Sequence, residues 1–440
     1  MSEKEFSGYK GKALAIIKEV GADVGDMVRV TKGKEIYEGI LIPRSEYGDE
    51  SHIVVKLKNG YNIGVEVTSE TKVERIGKGT KPTFAAPPQP DQNPRLPSVT
   101  ILSTGGTIAS RVDYRTGGVR PALTAGDLYS VVPELADIAR INAKIVFSLF
   151  SENITPQQWG ELAIAIGEQV DKGADGVVIA HGTDTMGYTA AALSFALQNL
   201  PLPVIIVGAQ RSADRPSSDA ATNLIGAVMS AARAPFAEVT VAMHETTSDD
   251  SIVFHRGTRV RKCHTSRRDA FKSVNATPIA RMKNRELTML AQDYKKRDAS
   301  KELVLKPEFN DKVALVKFYP GMNPAVIDWF VDQGYRGIIL EGTGLGHINM
   351  KSFGTVRKAV EKDVTVAMTS QCIWGRVNMN VYDAGRDLQA QGVIPLQDML
   401  PETAFVKLMW ILGQTKDMEE ARRLLTTNVA GELSPRTLSE

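Results

Sequence analysis

The chain has 440 residues, 42% of them hydrophobic and 24% charged, with a formal net charge of +2. That length supports two or three domains with full cores, and near-neutral charge excludes a globally basic nucleic-acid binder, leaving any such contact to a local patch. Only Cys263 and Cys372 are present, six scattered histidines lack zinc spacing, and no stretch reaches a membrane span, which together predict a soluble, cytoplasmic protein without disulfides or metal.

Residues 1–80 read as a small β domain. An amphipathic helix from Tyr9 to Val20 leads into short strands at Met27 to Thr31, Ile36 to Pro43, His52 to Leu57 and Tyr61 to Val67, with Asn59-Gly60 as a hairpin turn. Such tight spacing predicts a small SH3-like or Sm-like β-barrel. Its lysines (Lys32, Lys34, Lys56, Lys58) either face phosphates or keep edge strands soluble, the second being the ordinary use. Residues 81–97 hold Pro82, Pro87, Pro88, Pro90, Pro94 and Pro97, which forbid a continuous helix and predict an extended, semi-rigid linker.

Strands and helices then alternate. The apolar run Val99 to Leu102 is a strand that stops at Thr104-Gly105-Gly106-Thr107. Thr155-Pro156-Gln157-Gln158 is a capping box opening a helix to Asp171. Gly176 to Ala180 is a strand, Thr185 to Gln198 a helix, Val204 to Val207 a strand, Ser217 to Ala232 a helix and Val239 to Met243 a strand. Residues 257–311 read as basic and irregular. A second alternating block begins at Val313 and ends in helices near Thr427. The pattern predicts an α/β body with mostly parallel sheets, in two domains over 98–300 and 301–440.

Chemistry concentrates at strand ends. Thr107 is either a helix cap or a hydroxyl presented where α/β sheets collect ligands. In His181-Gly182-Thr183-Asp184-Thr185 a second buried strand empties into hydroxyls beside a carboxylate, and Asp184 also suits an N-cap. Lys262 lies in the basic stretch RVRKCHTSRRDAFKSVN. No phosphate-binding glycine loop is present.

These motifs together resemble one family. TGGTIAS, HGTDTM, the stretch from Lys262 through six residues to DAFKSVN, and GAQRSADRPSSDAATNL are similar to segments of the bacterial-type asparaginases and glutaminases, over residues 98 to 430. The β-rich start and proline-rich linker ahead of that body resemble the D subunits of archaeal glutamyl-tRNA(Gln) amidotransferases. The resemblance implies Thr107 as nucleophile on a side-chain amide, with Thr183, Lys262 and Asp184 as a hydroxyl–amine–carboxylate relay. It implies oxyanion stabilisation by backbone N–H groups near Gly106 and Thr107, together with Thr183. Ser151 would bind the α-carboxylate of the substrate, and Glu152 with Asp184 its α-ammonium. Tyr114 is the candidate lid tyrosine, although its spacing from Thr107 is shorter than in the bacterial enzymes. Leu345 stands in EGTGLGHIN where the family has an asparagine serving a neighbouring subunit, and Tyr382 is a candidate substitute.

The implied activity is hydrolysis of glutamine by a homodimer. Its ammonia would go to an E subunit that uses ATP and Mg to convert Glu-tRNA(Gln), with no cofactor in this chain. A free-standing L-asparaginase with an appended domain, and a non-enzymatic scaffold, are the other readings. The intact set of Thr107, Thr183, Asp184 and Lys262 argues against the scaffold.

Overall fold

A computed structural model of the chain describes residues 8–44, 49–57, 62–78, 92–106, 108, 110–112, 119–121, 128, 132–211 and 218–437. The expected Asn59-Gly60 turn and most of the expected proline-rich linker (79–91) lie outside the described residues.

Near the N-terminus, helix α1 (Gly11–Glu19) precedes β1 (Met27–Lys32), β2 (Glu35–Leu41), β3 (His52–Leu57), β4 (Asn62–Glu66) and β5 (Thr71–Gly77). These strands form an antiparallel sheet in the order β4-β3-β2-β1-β5. Alternation sends Val28 and Val30 into a core with Leu41, Ile53, Val55 and, from α1, Ala13 and Ile17. Outward, Arg29 lies opposite both Glu38 and Glu74 and pairs with them at 2.6 and 3.3 Å. Strand β5 is not among the expected strands, because Lys72, Glu74 and Arg75 interrupt its apolar pattern. It forms because β1 offers it an unpaired edge and buries Val73. Among the described residues β4 and β5 end the five-stranded order and do not pair with each other.

The large sheet begins with β6 (Ser98–Ser103), β7 (Arg140–Ile145), β8 (Gly176–Ala180), β9 (Val204–Val207) and β10 (Val239–His244). It continues through β11 (Ser251–Arg256) and, past the hairpin β12 (Val260–Lys262) and β13 (Phe271–Ser273), through β14 (Ala280–Lys283) and β15 (Glu286–Met289). Its order is β15-β14-β11-β10-β9-β8-β6-β7. The last five strands of that order are parallel and the first three antiparallel, so the sheet is mixed. Two of the antiparallel strands, β14 and β15, fall within the stretch expected to be irregular. Each is four residues long, so a period of two, as with Ala280 and Met282 inward and Arg281 and Lys283 outward, spans too few positions to stand out. Helices α2 (Pro156–Asp171), α3 (Met186–Ala196) and α4 (Ala220–Arg233) cover the faces. Val178 and Ala180 of β8 pack with Leu224 and Val228 of α4, and Val177 and Ile179 pack with Ile166 of α2 and Leu193 of α3. Burial on both faces explains why β8 reads as an unbroken apolar run.

A smaller parallel sheet follows, β16 (Val313–Lys317), β17 (Gly337–Gly342), β18 (Thr365–Ser370) and β19 (Ile394–Pro395) in that order. Around it lie α5 (Ala325–Asp332), α6 (Phe353–Glu361), α7 (Asp383–Ala390), α8 (Pro401–Gln414) and α9 (Met418–Thr426). Helix α8 joins the two parts: Trp410 stacks on Phe195 of α3 with centroids 5.7 Å apart. Held between its own sheet and α8, α3 is apolar nearly all round, as a fully enclosed helix must be. No described helix is long and apolar enough to cross a membrane.

Candidate active site

Strands β6 and β8 run side by side in parallel, with Ser103 opposite Ala180, so their carboxyl ends open at one edge. Thr104 is spent there. Its N–H and its hydroxyl both donate to the Ala180 carbonyl at 3.0 Å. Gly105 and Gly106 follow with φ of +113° and +80°, values that favour glycine. A Cβ on Gly106 would lie 2.8 Å from the Gly182 nitrogen, and one on Gly182 would lie 2.9 Å from Ser151 Cβ. The absence of side chains at these positions lets three loops stack at contact distance. Thr107 and Tyr114 lie outside the described residues.

On the second loop, Lys262 Nζ donates to Thr183 Oγ1 at 2.9 Å and to Asp184 Oδ1 at 2.8 Å. Lys262 reaches them from the end of β12, 79 residues beyond Thr183 in the chain. Its side chain is 14% exposed, whereas that of Asp184 is 70% exposed, so the cluster is sheltered at the amine and open to solvent at the carboxylate. Because Thr183 Oγ1 accepts from the amine, its own O–H points elsewhere. Thr185 Oγ1 donates to the Ser151 carbonyl at 2.6 Å, fixing the turn Ser151–Asn153 to the head of α3. Ser151 is buried and Glu152 exposed. Gly106, Ser151, Glu152, Thr183, Asp184 and Lys262 are thus brought to one place. Leu345 and Tyr382 are not. Tyr382 sits edge-on to His347 at 5.5 Å, the Leu345 carbonyl accepts from the Asn378 N–H, and neither residue makes a polar contact with the Lys262 group among the described residues.

The residues of GAQR and SDAATNL hold the neighbouring loop. A Cβ on Gly208 would lie 2.8 Å from Thr183 Cγ2, so this loop backs directly onto Thr183. Buried Asp219, at the head of α4, accepts from the Gln210 and Arg211 N–H groups at 3.0 and 2.9 Å. Asn223 Nδ2 donates to the Gly208 carbonyl at 3.0 Å, and Asn223 Oδ1 meets His244 Nδ1 at 2.6 Å. Sequence reasoning matches this segment without finding its task, because the partners of Asp219 are backbone N–H groups, which every residue but proline carries.

Sequence reasoning also misses His181. Its Nδ1 lies 2.6 Å from the Gly182 carbonyl, at the peptide that leads into Thr183. Burial pulls His181 down to about 4, and burial with nearby Lys272 pulls His255 down to about 3. Both rings therefore stay neutral when folded but take up protons near 6.5 when unfolded. Between those values the unfolded chain binds more protons, so their contribution is complete above about pH 6.5 and is lost as pH falls toward 4. The expected result is a loss on the order of 3 kcal/mol per histidine across that window. Urea unfolding at pH 7.5, 6 and 5 checks it, and a flat stability would contradict it.

The chain matches three family models: an asparaginase N-terminal domain over residues 98–295, a glutaminase/asparaginase C-terminal domain over 312–425, and a GatD N-terminal domain over 22–76. It is 52% identical over 437 residues to the D subunit of the glutamyl-tRNA(Gln) amidotransferase of Methanopyrus kandleri, covering 97% of this chain and 95% of that one. Against the D subunit of the Pyrococcus furiosus amidotransferase it is 51% identical over 427 residues, covering 96% and 97%. Among solved structures, the thermostable L-asparaginase from Thermococcus kodakarensis superposes with a TM-score of 0.70 at 35% identity, over 77% of this chain and all of that one. L-asparaginase I from Vibrio cholerae gives 0.68 at 31%, over 77% and 99%. The asparaginase likeness thus stops short of the whole chain, while the likeness to the amidotransferase D subunits runs almost its full length: this chain belongs to the family of glutamyl-tRNA(Gln) amidotransferase D subunits, within the asparaginase/glutaminase fold.

Proposed function

We propose that this chain is the glutaminase subunit of a tRNA-dependent amidotransferase, and that Thr107, Thr183, Asp184 and Lys262 carry its chemistry. The observation that carries the reading is Lys262 Nζ held between Thr183 Oγ1 and Asp184 Oδ1, beside the glycine-lined end of β6. Thr107 Oγ attacks the side-chain amide carbon of glutamine. The resulting oxyanion is met by backbone N–H groups around Gly106 and Thr107 and by the Thr183 hydroxyl, whose proton is directed away from Lys262. The Thr183–Lys262–Asp184 relay carries the nucleophile's proton to the departing nitrogen. Ammonia leaves, and water then attacks the acyl-threonine to release glutamate. Ser151 holds the substrate α-carboxylate, while Glu152 and the exposed carboxylate of Asp184 hold its α-ammonium; Tyr114 is assigned to the lid.

The ammonia passes to an E subunit, which activates Glu-tRNA(Gln) with ATP and Mg. No step in this chain needs a cofactor. We assign residues 1–80 to a small SH3-like barrel, 81–97 to a linker, and 98–300 and 301–440 to the two body domains. The body pairs as a homodimer in the cytoplasm. Exposed Trp374, Val381 and Tyr382, following the parallel strand β18, give this pairing an apolar face.

The free-standing L-asparaginase reading fits less well, since such enzymes superpose on only 77% of this chain whereas the amidotransferase D subunits match 96–97% of it. Ammonia release from glutamine and from asparagine separates the two, measured on the chain alone and with E subunit and Glu-tRNA(Gln). Weak activity that rises on glutamine when both are added supports the coupled glutaminase. Strong asparagine hydrolysis indifferent to both additions supports the asparaginase.

A further inference from the structure

Hairpin β12–β13, which carries Lys262, is not part of the large sheet. Its two strands pair only with each other, Val260 to Ser273 and Lys262 to Phe271. No ladder therefore sets its height against the ends of β6 and β8. Val260, Ala270 and Phe271 anchor it in the core, but apolar packing is non-directional and does not define a register. At its tip Arg268 Nη1 donates to Asp249 Oδ1 at 2.6 Å, a side chain that is itself 61% exposed, and the buried directional ties lie at its base.

There, the hairpin closes through the Val274 N–H donating to the Arg259 carbonyl at 2.8 Å, and both flanking side chains converge on Asp398. Arg259 Nη1 donates to the Asp398 carboxylate and to its carbonyl, each at 3.1 Å. The two side chains are 1% and 3% exposed. Arg259 also donates to the Gly431 carbonyl at 2.8 Å and to Ser434 Oγ at 2.7 Å. From the other strand, Asn275 Nδ2 donates to the Asp398 carbonyl at 3.1 Å and to the Gly375 carbonyl at 2.9 Å, while Asn275 Oδ1 accepts from the Gly375 N–H at 2.9 Å. Asp398 Oδ1 in turn accepts from the Ser434 N–H at 3.0 Å. Asp398 thus fixes both legs of the hairpin to loops that follow the second sheet.

We propose that Asp398, through Arg259 and Asn275, is a positioning residue for amide hydrolysis: it sets the height of the hairpin so that Lys262 Nζ reaches Thr183 and Asp184. This rests on the relay role proposed for Lys262. Lys262 lies three residues beyond Arg259, about 10 Å along an extended strand, so a shift or tilt at the base is carried to its tip. A misplacement of about 1 Å in a catalytic group costs on the order of 10²-fold in rate. Other ties, Arg261 to Glu402 and Ser273 to His255, each hold one leg only.

Two variants of the full chain test this. Asp398→Asn removes the charge that faces Arg259. Asn275→Gly removes only side-chain hydrogen bonds, since glycine accepts the φ of +55° found there, and so spares the fold if Asp398→Asn does not. Under conditions where the wild type turns over its amide substrate, and well below each variant's unfolding midpoint, kcat should fall by about ten- to a hundredfold. KM should change much less, and the pH profile of kcat should be displaced. Variants that melt earlier but keep the wild-type kcat and pH profile would show a merely structural tie and overturn the proposal. Lys262→Met, assayed alongside, separates the two levels. If it is inactive while both variants behave as wild type, only the positioning role of Asp398 fails. If it is fully active, the relay fails and the proposal with it.

Discussion

Lys262→Met should lower kcat for amide hydrolysis by a factor on the order of 10³ or more, because members of a catalytic unit act together and losing one disables the rest. The fold should barely notice. The methionine side chain replaces the apolar stem that the lysine buries, and the lost partner, Asp184, is 70% exposed, where an ion pair contributes little. Steady-state ammonia release and thermal unfolding, run on the same preparation, check both halves. A variant with full activity would remove Lys262 from the relay, and one that is inactive but also unfolded would leave the question to Thr183→Ala. Thr183→Ala should itself lose most activity, since it deletes the hydroxyl on which the Lys262 amine converges.

The largest stability effect is expected far from that chemistry, at Lys407 and Glu432. Both are fully buried and pair at 2.6 Å. The lysine donates as well to the Leu425 and Thr427 carbonyls at 2.9 and 2.6 Å, and the carboxylate accepts from the Val429 and Ala430 N–H groups at 2.9 and 2.6 Å. All three ammonium protons and both carboxylate oxygens are engaged, and α8 is thereby clamped to the chain beyond α9. Burial pulls Lys407 below its ordinary range while Glu432 opposes that pull. Removing one partner strands a charge in the core, so Lys407→Met should cost about 3–5 kcal/mol, and Glu432→Gln a similar amount. The double variant should lose less than the sum of the two, because no unpaired charge remains. Urea midpoints of the four proteins test this. Strict additivity would mean that the two groups do not interact.

Much of the site is legible in the sequence because its chemistry sits in short contiguous motifs. Thr183 and Asp184 follow a strand whose five residues are all buried, and a strand buried on both faces is plain in any sequence. Gly105, Gly106 and Gly182 announce a close approach, although what approaches is hidden. Lys262 is found only by resemblance, since a lysine in a basic run carries no local mark of its partners. The antiparallel strands between residues 251 and 289 escape notice for a related reason: the outer two are only four residues long, too short for their alternation to stand out.

The sequence by itself determined the α/β body and the β-rich start, because periodicity, caps and strand ends are written in neighbouring residues, and its motifs offered the candidate groups of the site through their resemblance to a family. Only the tertiary structure decided which of those groups meet. Thr183 and Lys262 are 79 residues apart in the chain and Arg259 and Asp398 are 139 apart, yet each pair is within 3.1 Å. Contacts of that kind depend on how whole elements pack, and no local preference of the chain encodes them.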